Sequence, residues 1–250
     1  MTTFTPLLRV HYKATARDKT ALFFTFAFPL LFIVVFGALM GSNKTSSGQA
    51  FIDTIAPGIM NWGIGNAAVF GLAYNLVEWR NTDVLRMIRR TPTSMTAFLA
   101  SRFATVGLVS LVQAVLFLGV AVAPPFRLMV TPAGLLASVP VLLCGALAFF
   151  AIGLLVGNVA RTPDAVAAIA NFLMVPMAFL SGSFYPLSQS PAWLQWLARI
   201  LPLRYMNDGV DGVLSGGGRY GNVGLCCAVL VAFAVAVGFV AVRTFRWENR

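Results

Sequence analysis

The residue types that perform covalent or acid–base chemistry are few in this chain, and they are not placed to work together. His11 is the single histidine; it sits in a basic amphipathic stretch without neighbouring ligands and reads as a surface side chain. The three cysteines, Cys144 and the adjacent Cys226 and Cys227, fall in apolar runs where buried thiols are common and inert. Gly41-Ser42-Asn43-Lys44-Thr45 looks like part of a phosphate-cradling loop but lacks the glycine before the lysine. No nucleotide hydrolysis is therefore expected of the chain itself. Gly63-Ile64-Gly65-Asn66-Ala67-Ala68 fits a relaxed dinucleotide fingerprint, yet it lies inside an apolar run and not at a strand-to-helix turn. With no paired carboxylates inside an apolar run, neither metal hydrolysis nor carboxylate catalysis has a constellation to act through. Catalytic residues and metal ligands are both expected to be none. What remains are polar amides in apolar surroundings, Asn61, Asn66 and Asn171, each of which needs a partner, and one charged segment, Glu78 to Ser94.

The elements that hold these residues are written in the composition. Hydrophobic residues make up 58% of the 250 and charged residues 10%, against roughly a quarter charged in soluble domains. Uncharged runs cover Thr20 to Asn43, Thr54 to Val77, Phe103 to Phe126, Leu128 to Ala160, Ala165 to Ala198 and Tyr220 to Val242. Roughly 20 apolar residues span a bilayer as a helix, so the expectation is an all-α polytopic membrane protein of six transmembrane helices. Continuous runs such as Leu30 to Phe36 are not the alternating pattern of barrel strands. The first run is too long for the apolar part of a signal peptide and is read as an uncleaved span, with Pro29 placed to bend it. Gly37 with Gly41, and Gly153 with Gly157, have the small-xxx-small spacing that permits close helix approach. The run from Ala165 to Ala198 cannot be one straight helix, because Pro176, Gly182, Pro186 and Pro191 interrupt it. A fifth span from about Asp164 to Ser181 is expected, followed by an external segment. There a short amphipathic helix flanked by Trp193, Trp196 and Tyr205 re-enters the outer leaflet and is ended by Pro202.

The net charge of +10 does not point to nucleic acid, because the basic residues alternate with the spans. With the N-terminus inside, 13 of the 18 basic residues fall on cytoplasmic segments, and positive-inside bias then places both termini in the cytoplasm. Phe4, Leu7, Leu8, Val10 and Tyr12 among Arg9, Lys13 and Arg17 suit an amphipathic helix in the cytoplasmic interface. The middles of the spans hold no ionisable groups, which removes the usual signature of a proton- or ion-coupled carrier. That carrier and a membrane-embedded enzyme stay open as alternatives.

The segment joining the second and third spans is longer than a hairpin needs. Val84, Leu85, Met87 and Ile88 can form one side of a short helix, with Asp83, Arg86, Arg89 and Arg90 facing elsewhere and Pro92 ending it, a shape suited to docking a soluble partner. Glu78 through Ser94, with Val84-Leu85-Arg86 and Thr91-Pro92-x-Ser94, resembles the cytoplasmic loop of ABC type-2 exporter permeases. A second stretch resembles that family's signature before the last span: Pro176, Leu180 to Leu187 including Ser181, Gly182, Phe184, Tyr185 and Pro186, then Pro191-x-Trp193-Leu194, then Leu201-Pro202-Leu203 and Tyr205. The likeness extends over essentially the whole chain and is closest to daunorubicin-type drug exporter permeases. One departure stands out: many relatives have glycine where this chain has Asp83.

The resemblance implies one transmembrane domain over residues 1–250. Within it, 1–19 would be the interfacial helix, 78–98 the coupling loop and 182–219 the external re-entrant segment. It also implies a plasma-membrane homodimer, or a heterodimer with a second permease, that binds two ABC ATPase subunits. ATP and Mg would be held by those partners and no cofactor by this chain. Glu78, Arg80, Asp83, Leu85, Arg86, Ile88, Arg89 and Arg90 are the expected coupling residues. Phe24, Phe28, Trp62, Asn66, Asn171, Met174 and Phe179 are candidates for lining the substrate path. Aromatic and methionine lining with almost no charge suggests a hydrophobic or amphiphilic cargo, such as a drug, an antibiotic-like molecule or a lipid. A lipid or polysaccharide exporter of the same family is an alternative.

Overall fold

The computed structural model describes residues 4–40, 51–89, 94–124, 128, 130–185, 187, 190–214 and 221–245. Every regular element among them is helical, as the apolar runs predict. A helix lets each backbone donor find its acceptor within one segment, as the hydrocarbon requires.

Helix α1 (Phe4–Arg17) lies ahead of the bundle and packs on α6. The first span is composite: α2 (Lys19–Leu22) leads into a π-helical turn (Phe23–Ala27) and then α3 (Phe28–Met40). Asp18 caps its start by accepting from the Ala21 N–H at 2.9 Å. The π turn sits immediately before Pro29, where the Phe28 N–H reaches back to the Phe23 carbonyl. Pro29 lacks an N–H, and its ring would crowd the carbonyl four residues earlier in a regular α ladder, so the expected bend takes this local form.

Helix α4 (Phe51–Asn81) is the central element; it packs against α3, α6, α7, α8 and α10. Ile55, Ile59, Met60, Ile64, Ala68, Leu72 and Leu76 on it are fully buried. It runs past the expected Thr54–Val77, because a hydrogen-bond ladder does not stop where charge begins. Next come α5 (Val84–Arg89), α6 (Met95–Val122), α7 (Pro132–Val159), α8 (Pro163–Leu180), α9 (Ala192–Ala198), α10 (Pro202–Leu214) and α11 (Gly221–Arg243). Helix α6 begins before the expected Phe103, since Ser94 caps it by accepting from the Ala97 N–H at 3.2 Å. Thr131 and Thr162 cap α7 and α8 in the same way, each followed by a proline at the first helical position, where its missing N–H costs nothing.

Among the described residues, five segments are long and apolar enough to cross a membrane: Lys19–Leu39, Thr96–Val122, Pro132–Val159, Pro163–Leu180 and Asn222–Arg243. Helix α4 is longer than any of these but carries Asn61, Asn66 and Asn75, and it is shielded by its neighbours. Gly153 and Gly157 of α7 face it closely. A Cβ on Gly153 would lie 2.7 Å from the Val69 carbonyl oxygen, and one on Gly157 would lie 2.9 Å from the Leu76 side chain. The small-xxx-small pair therefore sets the distance between the two central helices. Gly41 of the other pair lies outside the described residues.

Pro202 behaves differently from expectation. It does not end the helix after Pro191; α9 ends at Ala198, and Pro202 opens a second helix, α10. Proline suits a first turn, where the N–H would be unsatisfied in any case. Helix α10 is strongly two-faced, burying Leu203, Met206, Asn207, Val210, Val213 and Leu214 against α4, α7 and α11.

Candidate functional site

At the end of the bundle where α8 stops, three features meet. Helix α8 terminates in a glycine turn. Gly182 adopts φ +78°, its N–H reaches the Phe179 carbonyl at 3.3 Å, and the Ser183 N–H reaches the Ala178 carbonyl at 3.1 Å. This is the Schellman pair, and the left-handed residue at its centre is why glycine stands at 182. The turn seats Ser181 and Ser183, both buried, against α10. The Asn207 amide donates to Ser183 Oγ at 2.9 Å and to the Ser181 carbonyl at 3.3 Å. Asn207 Oδ1 in turn accepts from Asn61 Nδ2 at 3.1 Å, and Asn61 also donates to the Met206 carbonyl at 3.2 Å. One buried network thus joins α4, α10 and the glycine turn.

Beside it runs a ladder of aromatic rings. Phe24, Phe28, Phe32 and Phe36 follow one another along the first span at centroid distances of 5.9, 4.9 and 5.9 Å. Their spacing of four residues puts them on one side of the helix. Trp62 of α4 and Phe184 of the glycine turn close over Phe32 at 5.7 and 5.9 Å. Phe179 of α8 meets Phe184 at 5.2 Å. The Trp62 indole donates to the Met174 carbonyl at 3.3 Å, fixing α4 against α8. Phe24 and Phe179 are exposed, whereas Trp62 and Met174 are buried.

Of the candidate path residues, the structure brings Phe24, Phe28, Trp62 and Phe179 into this ladder and seats Met174 behind it. Asn66 turns onto its own helix, donating to the Trp62 carbonyl at 2.9 Å. Asn171 stands apart, exposed midway along α8. Phe32 and Phe36 belong with the ladder, and their spacing from Phe28 was the available signal. Asn207 was missed; it falls on the apolar face of α10, which only the helix start at Pro202 makes visible. Pro176 and Trp193 are exposed, Tyr185 is half-buried, Pro191 is the N-cap of α9, and Pro186 lies outside the described residues.

The opposite end carries the charged segment. Asp83 adopts φ 57°; its N–H reaches the Arg80 carbonyl and its own carbonyl accepts from the Met87 N–H at 3.0 Å. One left-handed residue therefore ends α4 and starts α5. Asp83 and Arg86 form an exposed ion pair at 3.7 Å, Glu78 is exposed, Val84 and Ile88 are half-buried, and Met87 is 57% exposed. Leu85 and Arg89 contribute backbone to α5, while Arg90 and Pro92 lie outside the described residues. Arg80 is turned inward. It is buried and donates to the Gly157 and Ala160 carbonyls at 3.2 and 3.3 Å, which caps the C-terminus of α7 where a cation offsets the helix dipole.

His11 is not a surface residue. It is buried, its ring packing edge-on against Phe98 at 4.9 Å and Trp79 at 5.6 Å, which themselves touch at 4.8 Å. Burial, with the Arg102 guanidinium nearby, pushes its pKa down to about 4. Arg102, one of the basic residues counted on cytoplasmic segments, is also buried. It donates to Thr15 Oγ1 at 2.9 Å and to the Gly71 carbonyl at 2.7 Å, binding α1 to α4 and α6. One-turn spacing along α1 aligns His11 and Thr15 on its inner face, so α1 is docked onto the bundle by these two contacts.

The described residues define a multi-span helical membrane protein. The chain belongs to the ABC-2 type transporter family, whose sequence profile matches residues 2–214. Permeases of this family pair with ABC ATPases. Similar proteins include the linearmycin resistance permease protein LnrN of Bacillus subtilis, 30% identical over 95 residues that make up 37% of this chain and 25% of that one. Nodulation protein J of Rhizobium meliloti is 30% identical over 45% of this chain and 42% of its own length. The inner membrane transport permease YadH of Escherichia coli is 34% identical over 38% and 34%. The matches thus span less than half the length of each of these relatives.

Proposed function

We propose that this chain is the membrane-spanning subunit of an ATP-driven exporter that moves a hydrophobic or amphiphilic molecule outward from the cytoplasm or inner leaflet. The observation that carries this reading is the aromatic ladder. Nine ring-to-ring contacts run from Phe24 to Phe179 along the first span, α4 and the glycine turn to α8, with exposed rings at its edges. Such a surface offers apolar, polarisable contact to a drug-like or lipid-like cargo and no fixed charge to a hydrophilic one. A relative named for resistance to linearmycin supports the same reading. Two copies, or this chain and a second permease, would face each other across α3 and α8 and enclose the path. Asn171, an amide on the exposed face of a span, is better accommodated there than against lipid tails.

On this reading the α1 end is cytoplasmic, as are both termini, and two ABC ATPase subunits dock on α5 and α1. Those subunits bind ATP and Mg. Exposed Met87 and the Asp83–Arg86 pair offer a small apolar contact with charged edges. Because α1 and the end of α4 meet at His11 and Trp79, a push on α5 passes into the interfacial helix as well as into α4.

The test is purification from the native membrane in nanodiscs with the stoichiometry of what accompanies the chain. Two ABC ATPases with two permeases is the expected composition; reproducible purification without any ATPase, from membranes that contain one, would overturn the reading. A matched functional check is Arg86, Arg89 and Arg90 changed together to Ala, expected to leave insertion intact and to lower transport-coupled ATP hydrolysis. Unchanged coupling removes the docking claim.

A further inference from the structure

Between α3, α4 and α6, midway along the spans, the fold buries polar groups outside the ladder and its network. Ser110 is 0% and Gln113 2% exposed. Among the described residues, neither the Ser110 hydroxyl nor either end of the Gln113 amide has a hydrogen-bond partner. The two are one turn apart on the face of α6 that carries buried Val106, Ala114 and Phe117. Opposite them is Gly63 of α4. A Cβ on it would stand 2.8 Å from Gln113 Nε2 and 2.8 Å from Pro29 Cγ, so the amide, the glycine and the proline ring border one point.

Pro29 directly follows the π-helical turn Phe23–Ala27. Having no N–H, it leaves a carbonyl of the preceding turn without its ladder donor: Thr25 in an α register, Phe24 in a π register. The Gln113 amide therefore borders the proline break inside an apolar span, with the Ser110 hydroxyl one turn away on the same helix face. Bare, such groups are costly to bury. Carboxylates and thiolates that would neutralise a cation are not clustered among the described residues, and the amide N–H groups would oppose one. The small ligand that both donates and accepts to an amide, a hydroxyl and a carbonyl is water.

We infer that Ser110, Gln113 and the Pro29 break form a water-binding site in the membrane interior, and that this hydrated site is the hinge of the first span. Bound water completes the ladder-free carbonyl in either register, so the helix passes between π and α geometry without exposing bare backbone to hydrocarbon. Gly63 is part of the device because a Cβ there would press on both the Gln113 amide and the Pro29 ring.

Hydrogen–deuterium exchange of the full chain in nanodiscs tests this. The peptide covering residues 22–33 is expected to exchange roughly ten-fold faster than a peptide of α7 at equal depth, because exchange needs water at the amide. Ser110→Ala with Gln113→Met, which removes the polar atoms while keeping volume, is expected to slow it to the α7 rate. Equal slow exchange in the wild-type chain, or fast exchange that the double variant leaves unchanged, overturns the site. Should the double variant not fold, a wild-type map that resolves water elsewhere in the protein decides. Density within hydrogen-bond distance of the Gln113 amide supports the site, and a dry amide overturns it.

Discussion

A neutral imidazole is what the pocket around His11 selects, since Trp79 and Phe98 give it ring edges and Arg102 opposes a second positive charge. Its docked pKa of about 4 lies below the free value of 6.5. The undocked helix therefore takes up the proton first as pH falls, and docking of α1 weakens from about pH 6.5 down to about 4. Protease cleavage within α1, followed against pH, is expected to rise over that window; His11→Phe should abolish the rise while keeping α1 docked, whereas His11→Ala should leave α1 cleavable at neutral pH. Asp83 yields a second expectation. Aspartate tolerates the left-handed region better than most residues, and glycine costs nothing there. Asp83→Gly should retain folding and coupling. Asp83→Val should cost about 1–2 kcal/mol, visible as a lower melting temperature, and should lower coupled ATPase activity by mis-setting α5. The aspartate of this chain thus answers a backbone demand that glycine would also meet.

At the scale of elements, α10 is held by the fit of its buried face. Asn207 links it to Asn61 on α4 and to Ser181 and Ser183 in the glycine turn. Asn207→Leu leaves the Asn61 amide the Met206 carbonyl alone and takes the donor from Ser183 Oγ, which costs about 1–3 kcal/mol; thermal unfolding in detergent should show the loss. Leu at both 61 and 207 removes the stranded groups together and should recover part of it, and a double variant no more stable than the single would refute the pairing. Helix α10 also approaches α7 so closely that a Cβ on Gly134 would lie 2.3 Å from the Val213 carbonyl oxygen. Gly134→Val is therefore expected to displace α10, detectable as faster exchange of its amides, with the α4–α7 contact left in place.

Taken as a whole, the chain is unevenly buried. Helix α7 is largely enclosed, whereas the first span and α8 leave most of their apolar surface outside. The ladder's exposed rings and Asn171 fall on those open helices, which is why the proposed partner permease belongs there. Asn171→Leu should alter export more than expression if that face lines the path. Equal loss of both would mark it as a packing position. Cysteine placed at 171 should crosslink two copies through a short bifunctional thiol reagent if the pore is homodimeric, and give no crosslinked pair if a second permease occupies that face.

Much of the architecture is local and so was legible. Apolar length specifies a span, Pro29 the interrupted first helix, Gly182 the end of α8, and Val84 to Arg89 a short helix after a backbone reversal. These properties depend on a few consecutive residues. Which side of a span faces inward is a different kind of information. In water a helix must turn its polar face outward, and periodicity shows it; in a bilayer both lipid and protein interior are apolar, so α4 and α7 carry almost no such signal. That is why the sequence placed Arg80 and Arg102 on cytoplasmic segments without showing that they turn inward, and did not pair Asn61 with Asn207. The sequence by itself determined the helical, membrane-spanning class and the family motifs, because backbone satisfaction and helix breaking act over a turn or two. Only the tertiary structure decided which amides meet, which rings form the ladder and which arginines point inward, because those choices are made by contacts up to 146 residues apart.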